Sequence, residues 1–164
     1  MEEYDSAVDT AKHIKRVREF IGYMTSGLET AANVHDQSKL RPPEKEAFDI
    51  ATPKLKGLTY GSPEYMAALK DLGLALDHHY KNNRHHPEHY VVDGIWGIWG
   101  MDLVDLTEMI CDWLAASERH EDGDIIASIE ANQKRFGYSD DLKQILMNTV
   151  RNLKDYDRRL AYLV

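Results

Sequence analysis

The chain has 164 residues, 43% apolar and 29% charged, the composition of one globular domain with enough material for a core. Twenty-eight acids against twenty bases leave a net charge of −8, which argues against a non-specific nucleic-acid binder in need of a basic face. The single cysteine, Cys111, excludes an internal disulfide and a thiolate zinc site, and no apolar run reaches the roughly 20 residues that span a bilayer.

The acidic start, MEEYDSAVDT, resembles neither a secretory signal nor a basic transit peptide, so a cytoplasmic protein is expected. Residues 1–164 read as one domain without repeats, linkers or low-complexity tracts. From Ala7 the apolar residues Ala11, Ile14, Val17, Phe20, Ile21, Met24 and Leu28 follow at helical spacing, and His13 shares the edge of that face. A second short helical segment should carry VHDQSKL and stop before Arg41-Pro42-Pro43, because a residue preceding proline leaves the α region. Pro43-Glu44 starts another helix through Phe48, and TPKLKGLTYGSP reads as a loop. Ser62-Pro63-Glu64 combines a cap, a first-turn proline and an early acid, predicting a helix to about Lys81 with Leu69, Leu72, Leu76 and His79 on one stripe. NNRHHPEHYVVDGIWGIWG is loop-like. Helices are then predicted from Met101 to about His120, from Asp124 to Phe136, and from the cap Ser139 to about Tyr162. No segment alternates with period two, so the class is all-α.

Five of the eight histidines fall between His78 and His89. Such a cluster can be a helix end or a satisfied core, but neutral imidazole is also the commonest side-chain metal ligand. His35-Asp36 is a contiguous pair; on one helix its members would point about 100° apart and share an ion only if it lay between them. Lys39 follows one turn later, either as a solvated lysine or as a phosphate contact. Asp105, Glu108 and Asp112 line one face of a helix whose other positions are largely apolar. They are either the wet face of that helix or buried acids in need of a partner such as a metal ion. Nitrogen and oxygen donors without thiolate suit a divalent ion: Mn, Fe, Co or Zn.

The order H…HD…D on an all-α chain resembles the HD-domain superfamily of metal-dependent phosphohydrolases. HDQSK followed by HHYKNN is similar to the HD-x-x-K and later His-His pattern of its two-metal members. Over roughly residues 13 to 150, HDQSK…HHYKNNRHHPEHY…EMICDWLAAS…SIEANQKRF resembles an uncharacterised phage and bacterial family of HD-like proteins. The resemblance implies a bundle of six to seven helices holding one or two ions in the cytosol of a bacterium or a phage-infected host. It implies His35 and Asp36 as the signature ligands, Asp36 central, with Asp112 closing the set and His13 opening it. His79, with His78 as alternate, answers to the second-metal histidines. His85, His86 and His89 have no counterpart in the wider superfamily; His86 is counted with the ligands, and all three stay open between ligands, substrate contacts and a loop over the centre.

The function so implied is hydrolysis of a nucleotide or related phosphate ester or anhydride by a metal-activated water, with Asp36, Lys39 and Glu108 as the catalytic set. Lys39, Lys81 and Arg84 would meet phosphate oxygens, and Asp105 or Glu108 would orient the water or a ligand histidine. Trp96 and Trp99 are candidates for stacking on a base, or simply pack. Two other readings stay open: an HD-type di-iron oxygenase, and a non-catalytic, metal-stabilised nucleotide-binding module. The partner implied is a small phosphorylated molecule, with neither nucleic acid nor membrane, and a homo-oligomer remains open.

Overall fold

The computed structural model describes residues 5–59, 62–91, 97–119 and 123–161, and among them are seven α-helices and no strand. They are α1 (Ala7–Val34), α2 (Glu44–Leu55), α3 (Pro63–Lys70), α4 (Leu74–Asn82), α5 (Leu103–Ser117), α6 (Ile125–Phe136) and α7 (Asp140–Ala161). Short 3-10 turns cover Gln37–Leu40, Pro87–Tyr90 and Ile98–Gly100. No described helix is long and apolar enough to cross a membrane.

Local chemistry sets most boundaries. Ser62 caps α3 by accepting a hydrogen bond from the Tyr65 amide, with Pro63 in the first turn. Asp102 caps α5 and forms a reciprocal capping box with Asp105. Asp124 caps α6, and Gly137 ends it in the left-handed region that glycine enters without steric cost. Three expectations are corrected. The chain leaves the helical path at His35, and Asp36 adopts φ 55°, so His35-Asp36 forms a corner instead of lying within a helix. Aspartate tolerates that conformation better than most residues. α2 continues through Thr52-Pro53-Lys54-Leu55, which had read as a loop. The single helix expected over 63–81 is divided at Gly73, whose φ of 49° breaks α3 from α4.

α5, α6 and α7 enclose the apolar core: Met109, Ile110, Trp113, Ile125, Ile129, Tyr138, Leu146, Met147 and Val150. Met109 and Ile129 are wholly buried, each worth about 1.5–3 kcal/mol in removed apolar surface. The C-terminal turns of α1 rest on α5, where a Cβ on Gly27 would sit 3.3 Å from the Val104 side chain. α5 therefore faces the core on one side and presents its acids on another. Along most of α1 the expected apolar face is exposed, Ile14, Val17, Phe20, Ile21 and Met24 among it.

Candidate metal centre

The corner at 35–36 resolves the divergence of adjacent helical residues: once the chain leaves α1, both side chains face the same space beneath α5. His35 Nε2 lies 3.6 Å from Asp36 Oδ2 and 3.6 Å from Asp112 Oδ1. On the other side of Asp36, Oδ1 lies 3.4 Å from His79 Nε2 and 3.7 Å from His85 Nε2. His86 Nε2 is 2.8 Å from His79 Nε2. Asp36 thus stands between two donor groups, one of His35, Asp36 and Asp112 and one of Asp36, His79, His85 and His86, each with ligand atoms within 4.8 Å of one another. Both groups can hold a metal ion.

The far nitrogens of the rings are held by carboxylates. Glu108 Oε1 accepts hydrogen bonds from His35 Nδ1 at 2.8 Å and His85 Nδ1 at 2.9 Å. Glu44 Oε2 accepts one from His79 Nδ1 at 2.9 Å and another from the Ser38 hydroxyl at 2.8 Å. In all three rings Nε2 is the atom that faces Asp36 or Asp112, and with the proton on Nδ1 the neutral form of each ring would present its Nε2 lone pair there. Asn83 fixes the end of α4 by donating to the His79 carbonyl and to Ser38.

Two buried side-chain polar atoms lack a hydrogen-bond partner among the described residues: Asp36 Oδ1 and His85 Nε2. They face each other across the centre. Burying two acceptors together without a donor is costly, and a cation between them removes that cost.

The electrostatics set His35 apart from the other rings. Hydrogen bonds to Asp112 and Glu108, with the Asp36 charge, push the His35 imidazole up to about 10 against the opposing effect of burial. Burial raises Glu108, but the hydrogen bonds from His35 and His85 outweigh it and hold the carboxyl at about 2. Burial also raises Asp36, which the Lys39 charge and hydrogen bond bring below the ordinary aspartate range. Burial drives His86 well down, aided by the neighbouring rings and Lys39, and burial with Lys39 also lowers His79. The lowered His79 and His86 favour the neutral ring that a metal ligand needs, whereas His35 holds its proton between Asp112 and Glu108, and a cation bound there would have to displace it.

Several assignments change. His13 lies on exposed α1, 22 residues before His35, roughly 33 Å along the helix at 1.5 Å per residue, and does not join the centre. His78 is half-exposed and hydrogen-bonds Glu44 Oε1 at 2.7 Å, outside both donor groups. Arg84 is gripped by Asp105 through Nε at 2.9 Å and Nη2 at 2.8 Å, and Tyr90 donates to the same carboxylate. It is a strut between the histidine loop and α5, as is Asp105, and not a free phosphate clamp. Lys81 is exposed, while Lys39 stands at the centre, 2.6 Å from Asp36 Oδ2. Glu108 positions two rings and is not free to act on water. His89 is tied to the Tyr80 carbonyl. Trp99 is exposed, and Trp96 lies outside the described residues. Sequence reasoning undervalued His85 and missed Glu44, wholly buried although it opens a helix, where an acid normally signals only a favourable end charge.

An all-α chain with a partly buried, carboxylate-braced cluster of histidine and aspartate is the class that fold and centre define. The chain belongs to DUF5662, a family of unknown function, whose profile matches residues 2–152. No curated protein and no solved structure matches it.

Proposed function

We propose that the protein is an HD-like, metal-dependent phosphohydrolase acting on a small phosphate ester or anhydride, a nucleotide among them. The observation that carries this reading is the facing pair Asp36 Oδ1 and His85 Nε2, both buried and without a partner. His35, Asp36, His79, His85, His86 and Asp112 hold one or two divalent ions, of Mn, Fe, Co or Zn, in this reading. A bound ion there supplies Lewis acidity, acidifying a water and offsetting phosphate charge.

The chain's own groups do the rest. Lys39 borders the cavity beside Asp36 and meets a phosphoryl oxygen as charge grows there. Glu44 and Glu108 keep the imidazoles in one tautomer and orientation. Water oxygen bonds to phosphorus, the ester or anhydride P–O bond breaks, and the proton from water passes to the departing oxygen.

The test is Asp112→Asn, which keeps side-chain size and removes the charge. In the parent, divalent metal should raise the melting temperature and support release of inorganic phosphate from a panel of phosphate esters and nucleotides. In the variant both effects should fall together. Equal metal protection of the two proteins would remove Asp112 from the ligand set. A metal-loaded parent that releases no phosphate from any compound would sink the hydrolase reading. Oxygen consumption by the iron-loaded protein would then favour the oxygenase, and nucleotide binding without turnover would favour the non-catalytic module.

A further inference from the structure

The centre forms one end of a cavity of about 980 Å³. That is the upper part of the range for pockets that enclose a drug-sized ligand, and far more than one phosphate needs. Asp36, Lys39, His79, His86 and Asp112 border it at the centre. Away from them the walls turn apolar, with Leu55, Leu69 and Leu76 on one side and Trp113, Ala127 and Ala131 on the other. Leu69 and Leu76, two of the leucines on the stripe of α3 and α4, therefore border open space, while Leu72 between them is buried. On α6 the residues that meet this space four apart, Ala127 and Ala131, are exposed alanines. A larger side chain at either would reach into the cavity.

Charge around the cavity is nearly balanced. Lys39, Lys56, Arg119 and Arg135 oppose Asp36, Asp49, Glu88, Asp112 and Asp124, with Arg135 ion-paired to Glu88. No basic cradle for a chain of phosphates follows from that lining. Lys39, 5.1 Å above the Phe48 ring, marks where the charged end meets the apolar wall.

Resting on the phosphohydrolase reading, we propose that the substrate is a phosphomonoester with a single phosphoryl group on a bulky, largely apolar body, and that the cavity holds that body. Hydrolysis then yields inorganic phosphate and the free alcohol or phenol.

The test uses metal-loaded protein with phenyl phosphate, 4-biphenylyl phosphate and ATP, the two aryl esters having similar leaving groups. The expected kcat/KM for the biphenylyl ester exceeds that for the phenyl ester by about tenfold or more, the scale that added apolar contact brings to a fitted pocket. Ala131→Trp and, separately, Ala127→Phe should lower turnover of the biphenylyl ester far more than that of the phenyl ester, removing that advantage, and keep the parent's heat protection by Mn²⁺. Equal turnover of the two aryl esters, a preference for ATP, or equal loss of both esters in variants that still bind Mn²⁺ overturns the proposal. If no ester is turned over, the hydrolase reading fails by itself, and the cavity is judged by binding. Stabilisation of the parent but not of Ala131→Trp by the biphenylyl ester upholds its occupant, and stabilisation of neither overturns it.

Discussion

Glu108 Oε1 accepts hydrogen bonds from two imidazoles that come from different parts of the chain, His35 and His85. One carboxylate therefore fixes the direction of two ligand nitrogens. Glu108→Gln leaves the ligands themselves intact but supplies a neutral, weaker acceptor, with an amide group that donates in place of one oxygen. Loss of such a supporting partner typically costs 10–100-fold in metal affinity. A drop on that scale is expected in Mn²⁺ titrations by calorimetry, with the helical circular dichroism unchanged; unaltered affinity would show that the two hydrogen bonds do not support binding. His13→Ala, by contrast, should leave affinity within about twofold, because the residue stands on an exposed stretch of α1 roughly 33 Å before the corner. Asp36, His79 and Asp112 were singled out through the resemblance of HDQSK, HHYKNN and CDWLAAS to HD-like motifs, and the structure brings all three to the same centre. Glu44 was hidden because nothing local distinguishes an acid that starts a helix from an acid that receives two histidines thirty-odd residues later. His13 misled for the complementary reason: helical periodicity reports which face a residue shares, not whether anything packs on that face.

At the scale of elements, α5 carries three acids with three jobs. Glu108 and Asp112 face the centre, whereas Asp105, one turn earlier, is nearly buried and binds Arg84, Tyr90 and the Asp102 backbone. This fastens the loop that holds His85 and His86 to the start of α5. Burial alone would raise the Asp105 pKa, but the Arg84, Tyr90 and backbone hydrogen bonds prevail and hold it below the ordinary value. A carboxyl lowered in the folded state stabilises the protein above its unfolded pKa, about 3.9, and that contribution fades as pH falls through the folded value. Asp105→Asn should therefore cost about 2 kcal/mol at neutral pH, the scale of a hydrogen-bonded buried charge. The gap between parent and variant in urea unfolding should narrow below about pH 4. A constant gap would mean that the carboxylate charge is not what holds the loop. The caps Ser62 and Ser139 were readable because they are local, each accepting from the amide three residues on, whereas Asp102 was passed over because the helix was expected from Met101. The break at Gly73 was not readable, since a lone glycine is compatible with a continuous helix as well as with a left-handed turn.

Across the whole molecule, apolar burial and polar organisation are unevenly divided. Among described residues before Gly97, the buried hydrophobic side chains are Ala51, Leu72 and Ala75, while the main cluster belongs to α5, α6 and α7. The segment from His35 to Tyr90 is joined to that cluster largely through the centre: the 35–36 corner, Glu44 on α2, His79 on α4, and His85 and His86 in the loop. An ion held there cross-links segments that have little oil between them. Its removal should act unequally. Binding to the native state alone adds RT ln(1 + [L]/Kd), about 2.7 kcal/mol at a hundredfold excess over Kd, or about 5–10 °C in melting temperature for a chain of this size. Hydrogen exchange should locate the change. On chelation, amides of α2, α4 and the 83–90 loop should exchange much faster, while those of α5 to α7 facing the core keep their protection, because local opening follows local burial. Uniform acceleration across both halves would mean that the core and the centre open as a single cooperative unit. No change at all would mean that the carboxylates and imidazoles hold the N-terminal half together by their own hydrogen bonds, and that the ion adds chemistry without adding structure.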